Sequence, residues 1–322
     1  MVNGPDEAAA HGPREVIEPT TGRPILMAPQ RQGRPFLTGA AAAAGSCPFC
    51  PGHEGATPPA VDGAPDGDAA TPAGASRDWD RPGWSVRAFP NLYPACAHHE
   101  VIAEGADHHE QPGDLAPSTW RRVVEVWQRR IRAMEQRPDV AFAYLFKNVG
   151  ATAGASIAHS HSQLIGLGDL PPRLRLELDR ARALDHCPWC REVATAGADG
   201  RELLRTGAHV ALVPDPPRLP YECWLLPTAC DDDFLTTDAA SLGAALHGLF
   251  AAVRDGLDRP AFNIWLHRAP GAALHWHFEL QPRTGQLAGL ELGGDMYINS
   301  VPAVTAAARL RPRSGASGVS AS

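Results

Sequence analysis

Residues 146–163 read FKNVGATAGASIAHSHSQ, and residues 262–281 read FNIWLHRAPGAALHWHFELQ. Each stretch opens on Phe with an Asn close behind, crosses a run of small residues, and closes on a His-x-His pair. Side chains two apart share one face of a strand, so His159, His161 and Gln163 project together, as do His275, His277 and Glu279. Around these stretches the same order of motifs recurs in both halves of the chain. A knuckle comes first, Cys47-Pro48-Phe49-Cys50 or Cys187-Pro188-Trp189-Cys190. A strand running into Pro follows, Phe89-Pro90-Asn91 or Val213-Pro214-Asp215. Next, Glu100 precedes His108 by the same interval that separates Glu222 from Cys230. A repeat in this order predicts a duplicated α+β unit of about 130 residues.

Hydrophobic spacing fills in the elements. Strands are predicted at 25–28, 84–89, 100–104, 141–146 and 161–167, and again at 210–213, 222–226, 262–266 and 275–281. Trp120, Val123, Val124, Trp127 and Ile131 recur at helical spacing, which predicts a helix over 118–136 with Ser118 or Asp114 as its cap. A second helix is predicted at 238–256, capped by Asp238. Residues 51–83 are rich in Pro, Gly, Ala and Asp and read as a long loop with little packing value. The expected organisation is a mobile N-terminus at 1–20, a catalytic unit at 21–170, a second unit at 171–312 and a disordered tail at 313–322.

The 322 residues carry a formal charge of −7, with 44% hydrophobic residues. That supports a sizeable core and argues against a general binder of nucleic acid or membrane surfaces, which needs a basic face. No run of about 18 apolar residues occurs, so no spanning helix is expected. Residues 1–14 are polar and lack the apolar stretch of a secretory signal, so a cytoplasmic protein is expected. Gly and Pro, 31 of each, predict many loops. Basic residues are almost all Arg; Lys147 is the only lysine.

Four of the seven cysteines lie in the two knuckles. In a reducing compartment such pairs read as metal sites before disulfides. A redox pair or unliganded core cysteines are the alternatives. A structural zinc takes four Cys or His ligands in a closed tetrahedron. The first half offers Cys47, Cys50, His108 and one member of the His159/His161 pair. The second offers Cys187, Cys190, Cys230 and His275. His53, His98, His99, His109, His186 and His267 compete, but only His108 has a counterpart in the repeat register. Two structural zinc ions per chain are therefore expected.

The small residues before His159 would let a phosphate approach backbone N–H groups. Ser160 and Ser162 face away from the His161 side. The second His-x-His pair is flanked by bulky Trp276 and Phe278 and ends in Glu279, whose carboxylate would repel a phosphate. Catalysis is therefore expected in the first repeat, with the second mainly structural. A strand histidine is more often packed than nucleophilic, but here two rings and an amide line one face beside the expected metal.

These motifs resemble the galactose-1-phosphate uridylyltransferase family, within the histidine-triad transferases. The resemblance rests on APQRQGRP at 28–35, CPFC, FPN at 89–91, VIAEGADH at 101–108, KNVGATAGASIAHSHSQ and HWHFEL. It implies duplicated half-barrel units with antiparallel sheets and packed helices, a homodimer, and ping-pong nucleotidyl transfer. By the same resemblance His161 is the nucleophile, His159 a zinc ligand with the first knuckle and His108, and Gln163 a ligand of the transferred phosphoryl. Asn148 and Ser156 match phosphate-contacting positions, Arg31 and Arg34 match an N-terminal R-x-x-R, and Asn91 matches a nucleotide-contacting Asn. For the two arginines a solvated loop is the alternative. HSHSQ replaces the HPHxQ usual in galactose-pathway members, and a second Cys-rich set is present. Both features are closer to the ADP-sugar phosphorylase branch.

The chemistry suits the residues, because a neutral imidazole attacks phosphorus without a strong base. The expected activity is transfer of a nucleoside monophosphate between a nucleotide sugar and a sugar 1-phosphate, as in UDP-glucose with a hexose 1-phosphate. A phosphorylase using inorganic phosphate shares the first half-reaction. A zinc-stabilised binding module is a third reading, against which the intact His161–Gln163 pair speaks. A histidine-triad hydrolase fits less well, being shorter and without knuckles.

Overall fold

Alternating apolar strands and two long amphipathic helices assemble around one continuous sheet. In the computed structural model the described residues are 12–34, 47–67, 78–270 and 274–312. The expected tail at 313–322 and the first eleven residues lie outside them.

The elements in chain order begin with β1 (Arg14–Ile17), β2 (Pro24–Met27), β3 (Asp62–Pro65), β4 (Trp84–Pro90), β5 (His98–Glu104), α1 (Pro117–Glu135), β6 (Phe142–Val149) and β7 (His161–Leu167). There follow α2 (Pro172–Arg182), α3 (Pro188–Thr195), β8 (Glu202–Thr206), β9 (His209–Leu212), β10 (Cys223–Pro227), α4 (Ala239–Gly256), β11 (Phe262–His267), β12 (His277–Pro282), α5 (Gly289–Gly294) and α6 (Ala303–Leu310). β1 and β2 form a separate hairpin.

The other ten strands form an antiparallel sheet in the order β3-β4-β5-β7-β6-β11-β12-β10-β9-β8. Read inward from either edge, the two halves have the same order, so the duplication seen in the sequence is also the symmetry of the sheet. The halves join where β6 pairs with β11, Phe146 opposite Trp265 and Val149 opposite Phe262. The predicted α+β duplication, antiparallel strands and packed helices are thus observed.

α1 and α4 pack together over one face. Trp120, Val123, Val124, Trp127 and Ile131 are all buried there, as their spacing predicts. Gly243 of α4 allows the close approach: a Cβ there would lie 2.6 Å from the backbone nitrogen of Arg121. Asp238 caps α4 as expected, accepting from the backbone N–H of Ser241 at 2.7 Å.

Two expectations are corrected. Neither Ser118 nor Asp114 caps α1, whose N-cap is Ala116 with Pro117 next. Pro is pre-set for the first helical turn and removes one N–H that would need a partner. Asp114 is drawn off by Arg254 at 2.8 Å and Arg259 at 2.6 Å. Second, the stretch 51–83 is not merely a loop of little packing value. Its described part contains β3, and Arg87, only 1% exposed, organises the rest. The Arg87 guanidinium donates to Trp79 O at 3.0 Å, Thr57 Oγ1 at 2.7 Å and Asp80 Oδ1 at 2.5 Å. One buried guanidinium satisfies backbone that a Pro- and Gly-rich composition cannot pair regularly.

Candidate active site

The first knuckle turns back on itself through Cys50 N–H to Cys47 O at 3.3 Å. It presents two sulfurs toward His108, just past β5, and His159, just before β7. Cys50 Sγ stands 3.3 Å from His108 Nδ1 and 3.5 Å from His159 Nδ1. The four ligand atoms all lie within 4.8 Å of one another. His159 Nε2 is 3.0 Å from Gly105 O. A carbonyl only accepts, so Nε2 carries the proton and Nδ1 keeps its lone pair for a cation.

The second tetrad repeats this arrangement. Cys187, Cys190, Cys230 and His275 also bring their ligand atoms within 4.8 Å. His275 Nδ1 lies 3.7 and 3.6 Å from the two knuckle sulfurs, and its Nε2 is tied to Pro227 O at 2.8 Å. Burial pushes the Cys50 thiol up to about 12, and burial with neighbouring sulfurs does the same at Cys230. A divalent cation would reverse that cost by favouring thiolates. Both donor sets suit a tetrahedral N/S-liganded metal.

The competing histidines are occupied elsewhere. His53 Nδ1 lies 2.7 Å from Cys47 O, His98 pairs with Asp139 at 2.7 Å, and His186 with Asp185 at 2.7 Å. His267 meets Glu177 at 2.7 Å, in a third group with His277 and Glu279 that sequence reading missed because α2 was not predicted. Its carboxylates are already compensated: Arg218 reaches Glu279 at 2.6 Å, and Trp265 Nε1 donates to Glu279 at 3.0 Å.

Beside the first tetrad lies a cavity of about 320 Å³. Arg34, Asn91, Ser156, His161 and Gln163 give it polar groups, and Pro48, Phe49, Pro58, Phe89, Leu92 and Ile157 give it apolar walls. The His161 ring lies 2.8 Å from its neighbour's carbonyl, Nδ1 to His159 O. Nδ1–H must donate, which leaves the free lone pair on Nε2. Burial pushes His161 down to about 3, with Lys147 adding to the effect, so the ring is neutral. Arg34 Nε donates to Ser156 Oγ at 2.8 Å across the cavity.

Arg31 and Asn148, expected at the phosphates, are not among the residues that line this cavity. Arg31 donates to Tyr93 O at 2.6 Å. Asn148 Oδ1 accepts from Asn263 Nδ2 at 2.7 Å, and that same nitrogen reaches Ala153 O at 2.8 Å, tying down the small-residue loop. Ser162 and Ser160 face the other side as expected. Ser162 Oγ accepts from Trp127 Nε1 at 2.7 Å, and Ser160 Oγ lies 2.8 Å from Lys147 Nζ. Trp276 and Phe278 are core residues, also as expected.

The family described as "Domain of unknown function (DUF4921)" matches residues 95–314 of the chain. ADP-glucose phosphorylase of Arabidopsis thaliana is 26% identical over 336 residues, covering 92% of each chain. Galactose-1-phosphate uridylyltransferase of Thermotoga maritima is 26% identical over 232 residues, covering 66% of this chain and 73% of its own. A crystal structure of an ADP-glucose phosphorylase from Arabidopsis thaliana with bound ADP-glucose superposes with a TM-score of 0.71 at 26% identity, covering 94% of this chain and 98% of that one. The resemblance read from the motifs is borne out by these relatives, which are enzymes. Among the described residues no helix is long and apolar enough to cross a membrane.

Proposed function

The chain belongs to the family described as Domain of unknown function (DUF4921), and from that premise we propose that it is a nucleotidyltransferase working through a nucleotidyl-His161 intermediate. The donor is a nucleotide sugar, and the acceptor is a sugar 1-phosphate, as in UDP-glucose with a hexose 1-phosphate. The observation that carries this reading is the His161 ring, fixed at Nδ1 by the His159 carbonyl, in a cavity it shares with Gln163, Ser156 and Arg34.

In the first half-reaction His161 Nε2 attacks the α-phosphorus. The P–N bond forms as the anhydride P–O bond breaks, and the electron pair leaves on the sugar 1-phosphate. The Nδ1 proton stays on the ring, and its hydrogen bond to the His159 carbonyl supports the cationic adduct. In the second half-reaction a phosphate oxygen of the acceptor attacks, and His161 departs as a neutral imidazole. Gln163, Ser156 and Arg34 supply donors where charge gathers on the phosphoryl oxygens. Asn91 borders the nucleotide. Arg31 and Asn148 are further phosphate contacts in this reading, held by hydrogen bonds to the Tyr93 carbonyl and to Asn263.

Zinc would be held by Cys47, Cys50, His108 and His159, and a second ion by Cys187, Cys190, Cys230 and His275. Bound there, it supplies folding free energy and fixes the strands before each His-x-His pair.

A second reading, transfer to inorganic phosphate, is favoured by the near full-length relative named as an ADP-glucose phosphorylase. The two readings share the first half-reaction. A panel of UDP- and ADP-sugars, each offered phosphate or a sugar 1-phosphate, tests both: turnover with only one acceptor selects its reading, and none with any pair removes both. The proposal includes a cytoplasmic location and a homodimer, the latter supported by the exposed apolar side chains of Leu292, Met296 and Ile298 near the C-terminus.

A further inference from the structure

Gln163 carries two chemically opposite ends. Its amide NH2 would stabilise phosphoryl oxygens, and its carbonyl would repel them. Which end meets the cavity is decided behind it, by His99. This residue sits on β5, is 5% exposed, and is not part of the metal tetrad.

The Ala95 backbone nitrogen lies 2.9 Å from His99 Nδ1. A backbone N–H can only donate, so Nδ1 is bare and a neutral ring carries its proton on Nε2. That Nε2 lies 3.0 Å from Gln163 Oε1. Asn91 cannot take this proton. Its Oδ1 is held by the Tyr93 backbone N–H at 2.9 Å, which turns Nδ2, a donor, toward the ring at 3.1 Å. The Gln163 carbonyl is then the acceptor for Nε2–H, and the amide NH2 is the end left for the cavity. Burial, with Arg31 and Arg34 nearby, holds the ring neutral by pushing it down to about 4.

We infer that His99 is a positioning residue for nucleotidyl transfer. It relays the donor polarity of the Ala95 N–H across its ring and holds the Gln163 amide with NH2, not carbonyl, toward the transferring phosphoryl group. This rests on the reading of His161 as nucleophile. A wild-type chain that forms no adduct with any nucleotide sugar removes that reading, whereas the inference itself is decided by comparing variants of a chain that does.

The test is a double-mutant cycle read by the rate of adduct formation. His99→Phe should slow the step roughly tenfold, the usual scale of one lost oriented hydrogen bond. The nucleotide-sugar KM should change less than twofold, with metal content unaltered. In a Gln163→Ala background the same His99→Phe change should cost less than twofold, because no amide remains to orient. Equal losses in both backgrounds would show a general structural role and overturn the inference, as would a full rate in His99→Phe alone. Should His99→Phe fail to fold, His99→Asn serves the same comparison, since its shorter amide cannot span from Ala95 N to Gln163.

Discussion

The Phe49 ring meets the His161 imidazole edge to face, with centroids 5.2 Å apart and planes at 71°. It also touches His159, at 6.4 Å, and Phe89, at 5.4 Å. The aromatic residue of the CPFC knuckle thus joins that turn to the proposed nucleophile.

That contact gives the first prediction. Phe49→Ala should leave the four ligands in place but free the His161 ring. Stability should fall by about 3–5 kcal/mol, the scale for truncating a buried aromatic. Metal content should stay near wild type while adduct formation slows by an order of magnitude. Parallel denaturant unfolding, metal analysis and rapid-quench assays check it; an unchanged rate would show that Phe49 only fills space.

Two metal ions per chain are expected, zinc in both tetrads. Metal analysis of the purified protein decides this: a value near zero, or iron alone, removes the assignment. Cys47→Ala and Cys187→Ala should each lower soluble yield, since removing one ligand forfeits much of a structural site's folding free energy. Loss of activity in Cys187→Ala should follow loss of fold, because that tetrad lies outside the cavity lining.

Lys147 makes a different kind of prediction. Its ammonium has three N–H groups and three partners: Glu104 Oε2 at 2.5 Å, Ser160 Oγ at 2.8 Å and His161 O at 3.0 Å. A planar guanidinium cannot serve three acceptors placed around a point, which explains the only lysine in an arginine-rich chain. Lys147→Met should cost about 3–5 kcal/mol by leaving the Glu104 carboxylate buried and unpaired. Lys147→Arg should be nearly as damaging, whereas adding Glu104→Leu to Lys147→Met should restore part of the loss. Chemical unfolding of the three variants tests the order; a well-tolerated Lys147→Arg would refute the argument from shape.

What the sequence made legible was local and periodic. The knuckles, the two-residue period of His159-Ser160-His161-Ser162-Gln163, the α1 stripe and the Asp238 cap are all written in neighbouring letters. The four-ligand sets were legible because duplication supplied the register for His108 and Cys230. α2 was missed because only Leu174 and Leu178 are buried among its charges. β3 was missed because it is four residues long, reads DGAP without apolar alternation, and is defined by its pairing with β4. The Ala95–His99–Gln163 relay depends on hydrogen-bond direction between strands, which no spacing rule encodes.

The proposed homodimer is tested at Leu292 and Ile298, which are 71% and 68% exposed. Leu292→Asp with Ile298→Asp should convert a dimeric mass in light scattering to a monomeric one. A wild-type chain that is already monomeric and fully active would remove the dimer.

The most direct prediction is the covalent adduct itself. Enzyme incubated with a nucleotide sugar and no acceptor should release sugar 1-phosphate in a stoichiometric burst and gain the mass of one nucleoside monophosphate. A bond between phosphorus and imidazole nitrogen should be acid-labile and stable to alkali. His161→Ala should abolish the adduct while leaving metal content intact, because Nδ1 of His159 still faces Cys50. His159→Ala should instead lower metal content. Gln163→Ala should slow transfer by roughly 10²–10³, the cost of removing one donor to developing charge. His277 gives the internal control. It repeats the His161 backbone hydrogen bond, with Nδ1 3.0 Å from His275 O, but Trp189 and Trp224 enclose its ring and Glu279 replaces Gln163. An adduct that survives His161→Ala and vanishes in His277→Ala would move catalysis to the second repeat; absence of any adduct from wild type would end the transferase reading.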